Sequence, residues 1–281
     1  MDLGTYPSAR CLDGSPGAYY YRPGTQSKNF VFFLEGGGWC YPSAPPDTPE
    51  DRDSSCLGRA QGPVGTTKHD ALTMTMAHGM LSTNAAESIF AGWNVVFVRY
   101  CDGGSFTGHL DHPVRMNSSN IYYRGRAILD GVFADVRARY SLATADQVVL
   151  SGGSAGGLAT AVNCDHVASL VAPSPTRCIA DAGFFLDVPD AVNGGMQVMR
   201  SRFFDIVDGM NATGQLPPDC VKSAAAAAAA AAASPAAVAA TPSTVPVTAP
   251  NDPRACFFAE HALQYTKTPL FILNSLYNFM T

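Results

Sequence analysis

No stretch of the 281 residues reaches the roughly 18 consecutive apolar residues of a membrane-crossing helix. Positive charge is scarce as well. The 18 Lys and Arg stand against 23 Asp and Glu for a net charge of −5, and they are scattered, so no basic stripe offers itself to nucleic acid. These two absences exclude a helical membrane span and a nucleic-acid partner. The eight cysteines, at 11, 40, 56, 101, 164, 178, 220 and 256, lack the short paired spacings of a zinc site. Their even number suits disulfides made in an oxidising compartment, with the pairing left open. The opening "MDLGTYPSARCLDG" has no basic start followed by an apolar core. It therefore reads as a mature form, an incomplete gene model or a chain that is not secreted. Two acceptor tripeptides for N-glycosylation, at Asn117 and Asn211, lean towards secretion.

What is present is enough apolar material, 47% of the chain, to bury one large domain. Runs dense in Val, Phe, Ile and Leu at 29–35, 93–100, 147–152 and 268–274 read as strands. Stretches with apolar residues at roughly helical spacing, 122–140 and 155–170, read as helices. Strands alternating with helices predict an α/β architecture: a mostly parallel sheet with helices on both faces, within a single domain spanning 1–281. Residues 223–250 form a low-complexity insert, an Ala run followed by a Pro-rich half, without charge after Lys222. We read it as an inserted surface linker, with a short poly-Ala helix as the alternative.

The chemistry concentrates where strands break into glycines. Residues 152–156, Gly-Gly-Ser-Ala-Gly, fit G-x-S-x-G between a buried strand and a helix. Such a turn strains the serine backbone and exposes its hydroxyl, so Ser154 is a candidate nucleophile, with a plain tight turn as the alternative. The helix that begins there offers a positive dipole and free amides, and Ala155 is placed to donate to an oxyanion. A second strand ends in "FLEGGGWC", residues 33–40. The bare amides of Gly37 and Gly38 suit the other half of an oxyanion hole, or else belong to a glycine turn packed by Trp39. A third, "RYCDGGSFTGH" (99–109), opens at the same sheet edge. Ligands bind there in open α/β sheets. Trp39, Asp102, Ser105 and His109 are thus candidates for lining a substrate pocket, or for satisfying their own loops.

In one order along the chain, "CLDGSPGAYYY", "FLEGGGWC", "RYCDGGSFTGH", "GGSAGGLA", "DAGFFLDVPD" and "TPLFILNSLYN" resemble the pectin acetylesterase and Notum family of carboxylesterases. The resemblance implies an α/β-hydrolase-like fold, secretion to the extracellular space or cell wall, a Ser-Asp-His triad, no cofactor and no metal. It implies Ser154 as nucleophile, the amides of Gly37, Gly38 and Ala155 as oxyanion hole, and acetylated pectin (homogalacturonan) as substrate and partner. A fatty acyl ester on a signalling protein is the substrate of the Notum branch. Oligomeric state is left open.

The chain departs from this pattern at the activating groups. Asn278 occupies the position of the family acid, where asparagine supplies no negative charge to an imidazolium. The family histidine belongs to a segment beyond Thr281. His166 lies twelve residues after Ser154 on one helix, ~18 Å along its axis and out of reach. His261 reads as an ordinary amphipathic-helix residue or a substitute base. His69, His78, His109 and His112 precede the serine, and Asp181 and Asp187 are substitute acids or pocket wall. The expectation is a serine elbow with little or no esterase activity. Two further readings are a non-catalytic binder of acetylated glycan or lipid and a Notum-like deacylase with a deep apolar pocket.

Overall fold

The computed structural model describes residues 1–44, 54–76, 79–189, 196–233 and 250–275. In chain order its strands are β1 (Tyr19–Arg22), β2 (Gln26–Leu34), β3 (Trp93–Val98), β4 (Val114–Met116), β5 (Ser119–Ile121), β6 (Gln147–Gly153), β7 (Thr176–Asp181) and β8 (Leu270–Leu273). The α-helices are α1 (Cys56–Arg59), α2 (Gly125–Arg139), α3 (Ala155–Val171), α4 (Val198–Gly209), α5 (Pro218–Ala233) and α6 (Ala259–Ala262). Six strands make one sheet in the order β1-β3-β2-β6-β7-β8, while β4 and β5 pair as a small separate ribbon. Only β1 runs antiparallel within the main sheet.

Register follows from the two-residue period of a strand, which sends alternate side chains to opposite faces. Phe32 of β2 stands between Val96 of β3 and Leu150 of β6, and all three join the larger buried cluster with Phe30, Leu34, Val98 and Val148. Their neighbours Val31, Val95, Phe97 and Val149 form a second cluster on the other face. This double burial explains why these strands read as unbroken apolar runs. The larger cluster receives Ile128, Leu129 and Val132 of α2, Leu158 and Val162 of α3, and Phe203, Ile206 and Val207 of α4. Leu81, Phe90 and Trp93 cover the second face, from a short 3₁₀ turn at Gly79–Leu81 and the segment leading into β3. Among the described residues the long helices thus gather on one face.

The four strands and two helices read from the sequence are all present, together with elements it did not announce. The linker reading of the Ala run is corrected. Residues 223–233 continue α5, whose Ala224 is fully buried, because alanine is the best helix former and a tertiary anchor offsets the cost of starting a helix. Residues 234–249 lie outside the described residues.

All eight cysteines are paired: Cys11–Cys101, Cys40–Cys56, Cys164–Cys178 and Cys220–Cys256. They tie, in turn, the N-terminal loop to the end of β3, the glycine loop after β2 to α1, α3 to β7, and α5 to the 3₁₀ turn at Pro253–Phe257.

Candidate active site

The parallel strands β2, β6 and β7 deliver their C-terminal ends, with the loop following β3, to one edge of the sheet, where the glycine stretches meet. Ser154 sits between β6 and α3 with φ +56° and ψ −121°, a conformation that costs a residue with a Cβ of order 1–3 kcal/mol. Ser154 is exposed. Its amide donates to Asp181 O at 2.9 Å, and its carbonyl accepts from Leu158 N at 2.9 Å. The strained turn is thereby held by β7 on one side and the first turn of α3 on the other.

Two glycines allow β2 to approach this turn. A Cβ on Gly156 would stand 2.1 Å from Leu34 O, and one on Gly36 would stand 2.2 Å from Gly153 O and 3.1 Å from Ser154 Cβ. Any side chain at either position would push the β2 loop off the serine. The pattern around Ser154 therefore has a packing cause as well as a conformational one.

Next to the serine the glycine loop is oriented by its carbonyls. The Arg59 guanidinium donates to Gly37 O, and to Gly38 O at 3.4 Å. The Tyr100 hydroxyl donates to Gly38 O at 2.8 Å. In a trans peptide the C=O and the following N–H point in opposite directions. With the two carbonyls turned inward, the amides of Gly38 and Trp39 face the other way. Arg59 is buried, lies over the Tyr100 ring at 5.5 Å and is carried by α1, which the Cys40–Cys56 bridge fastens to this loop.

Trp39, Asp102 and Ser105, offered as substrate contacts, are all buried and are engaged inside the protein. The Trp39 indole donates to Ser105 Oγ at 2.8 Å, and Ser105 Oγ donates to Ala155 O at 2.8 Å. The chain of bonds couples the glycine loop to the start of α3. Asp102 Oδ2 accepts from Gly104 N at 3.2 Å and Phe106 N at 2.9 Å, and Oδ1 has no partner. Burial raises its pKa to about 6 against the bonds from the Phe106 and Gly104 amides, which lower it. Ser105 and Phe106 both have positive φ, 52° and 57°, so this carboxyl stabilises a tightly wound loop. These three residues shape the site from beneath. His109 is half-buried, with its backbone bonded to Met210 O and Asn211 Nδ2.

The remaining histidines are dispersed. His166 Nε2 lies 2.6 Å from Asp130 Oδ1, between α3 and α2. His69 lines a polar cavity of about 540 Å³ with Asp13, Lys68 and Tyr122. His261 faces Asp187 and Glu260. His112 is exposed, while His78 and Asn278 lie outside the described residues. Among the described residues no hydrogen bond joins Ser154 to a histidine.

Arg59 and Tyr100 were not identified from the sequence. Each reaches the glycine loop across a sequence separation of 21 to 62 residues, which no local pattern announces.

The model of the family described as Pectinacetylesterase matches residues 4–281. The chain belongs to the pectinacetylesterase family. Pectin acetylesterase 5 of Arabidopsis thaliana is 30% identical over 275 residues, 96% of this chain and 55% of that protein. The palmitoleoyl-protein carboxylesterase NOTUM of Homo sapiens is 29% identical over 187 residues, 64% of this chain and 35% of that one. The solved structure of the Wnt deacylase Notum from Drosophila superposes with a TM-score of 0.78 at 23% identity, covering all of this chain and 72% of that one, which establishes the shared α/β-hydrolase-like fold. This pectinacetylesterase-family chain spans a little over half the length of the plant relatives it matches.

Proposed function

We propose that this chain carries the nucleophile and oxyanion-binding part of a secreted serine carboxylesterase that removes acetyl groups from a pectin-type polysaccharide. The observation that carries the reading is the exposed, strained Ser154 at the β6–α3 junction, pressed against a glycine loop whose Gly37 and Gly38 carbonyls are held by the buried Arg59 and Tyr100. In the reaction Ser154 Oγ attacks the acetyl carbonyl carbon while its proton passes to a base. The carbonyl oxygen becomes an oxyanion facing the amides of Gly38, Trp39 and Ala155, the Trp39 amide taking the place expected for that of Gly37 because the Gly38 carbonyl is held by Tyr100. Collapse expels the sugar oxygen as an alkoxide, which takes up the proton that left Ser154 and becomes the free hydroxyl, and water then hydrolyses the acetyl-serine to acetate and restores Ser154.

A short acyl group is favoured over a fatty one by the rings behind the glycine loop. Trp39 meets Phe185 and Phe203 edge-on at 4.9 Å, and Phe203 meets Phe257 at 4.9 Å and Phe258 at 4.7 Å. All five are buried. Interlocked aromatic rings fill the interior next to Trp39, which supports a short acyl group over a fatty one. The four disulfides support an extracellular setting such as the cell wall.

A second reading, a glycan-binding member without turnover, is favoured by the lack of a hydrogen bond from Ser154 to any described histidine and by Asn278 at the acid position. Intact-mass spectrometry after exposure to a fluorophosphonate separates the two. One adduct, lost in Ser154→Ala, would mean that a base activates the serine and would support the esterase reading. A folded chain that takes no adduct and releases no acetate from acetylated pectin would sink the esterase reading and leave binding to be measured.

A further inference from the structure

Away from the serine, three ligating side chains converge between the loop following β7 and α6. Asp187, Glu260 and His261 each offer one ligand atom, and these atoms all lie within 4.8 Å of one another. His261 Nε2 stands 3.4 Å from Asp187 Oδ2 and 3.5 Å from Glu260 Oε1. A charge-assisted hydrogen bond would close to about 2.7–2.9 Å. In a tetrahedral site with bonds of about 2.0–2.1 Å, by contrast, neighbouring donor atoms stand roughly 3.3–3.4 Å apart. The spacing around His261 is that of a metal site's edges.

The surroundings point the same way. The side chains of Asp187, Glu260 and His261 are only 2, 17 and 12% exposed. Asp187 Oδ1 is buried without a hydrogen-bond partner. A carboxylate oxygen hidden from water and from donors is costly unless a cation draws on the group. The ligating oxygens are also held by hydrogen bonds, Asp187 Oδ2 accepting from Arg200 Nη1 outside the cluster at 2.7 Å and Glu260 Oε1 accepting from the backbone N–H of Asp187 within it at 2.7 Å. Outer contacts such as that from Arg200 orient the carboxylates of metal centres. Arg200 offsets one of the two carboxylate charges and leaves the other for a bound ion. The mixed nitrogen and oxygen donors suit zinc and its transition-metal neighbours, whereas calcium and magnesium take oxygen alone.

We propose that Asp187, Glu260 and His261 form a three-ligand site for a zinc-class divalent ion that fastens the loop after β7 to α6. The loop also carries Phe185, one wall of the aromatic cluster against Trp39. The ion's role is structural, and no step at Ser154 passes through it.

The metal-stripped chain is titrated with Co²⁺ and followed by visible absorption, then with Zn²⁺ in competition. One equivalent with the intense bands of four-coordinate cobalt, displaced by Zn²⁺, is expected, and Zn²⁺ should raise the unfolding temperature. His261→Ala and the near-isosteric Glu260→Gln should each weaken binding at least tenfold. Circular dichroism checks their folding, and Glu260→Gln suffices should His261→Ala misfold. No cobalt band at several-fold excess, or a band undiminished in either folded variant, overturns the proposal.

Discussion

At Asp102 one carboxyl holds the wound loop beneath the candidate active site while excluded from water. Burial raises its pKa from the ordinary 3.8 to about 6. The unfolded chain, with the ordinary value, gives up this proton at lower pH than the folded chain does. The folded state therefore binds the extra proton between about pH 4 and pH 6, and stability falls as pH rises through that window. At ~1.4 kcal/mol for each pH unit the loss is on the order of 3 kcal/mol. Asp102→Asn keeps a side-chain oxygen to accept from the amides of Gly104 and Phe106 and removes the titration. Urea unfolding of both proteins at pH 4.5 and pH 7 should show the variant gaining on the wild type by a few kcal/mol. An unchanged difference between the two pH values would mean that the carboxyl is ionised throughout. The sequence marked Ser154 and its glycines because their spacing is local. It could not mark Asp102 as a loop support, since Gly125, which packs against its carboxyl, and Arg59, whose charge acts on it, are remote in the chain.

Three of the strands were legible because their burial is symmetrical. β2, β3 and β6 read as unbroken apolar runs because both of their faces are covered. By contrast β7, Thr-Arg-Cys-Ile-Ala-Asp, alternates between buried Cys178 and Ala180 and more open Thr176, Arg177 and Asp181, and its short polar pattern resembles a loop. Composition misled at α5, where an Ala run that looks like a linker is a helix because one end is fixed. That anchor is the Cys220–Cys256 bridge, with a sequence separation of 36, beside the buried Ala224. Closing a loop of this size is worth about 4 kcal/mol on the chain-entropy account. The double change Cys220→Ser, Cys256→Ser should lower stability to unfolding by roughly that amount. It should also reduce far-ultraviolet helix content under native conditions, because an alanine helix freed from its anchor is marginal in water. Full retention of helix signal would show that α5 stands without its staple.

For the whole molecule the sheet closes differently at its two ends. At one end β1 runs antiparallel along β3 and its Tyr19 is fully buried, bonded to Asp135 of α2 at 2.6 Å. At the other end β8 pairs only with β7 among the described residues. There Phe271 and Leu273 are 63% and 54% exposed, and Ile89 on the second face is 86% exposed. An apolar cavity of about 540 Å³, lined by Ile89, Phe90, Trp93, Ile179, Leu270 and Phe271, runs along the same end. An edge strand with open backbone groups and bare apolar side chains is a template for pairing with another chain. The purified 281-residue chain should therefore self-associate as concentration rises, and Phe271→Lys, which places a charge on that edge, should shift it towards monomer. Sedimentation velocity over a tenfold concentration range is the check. A wild-type chain that stays monomeric throughout would mean that this edge is satisfied within the molecule, and equal association in Phe271→Lys would move the contact to another surface.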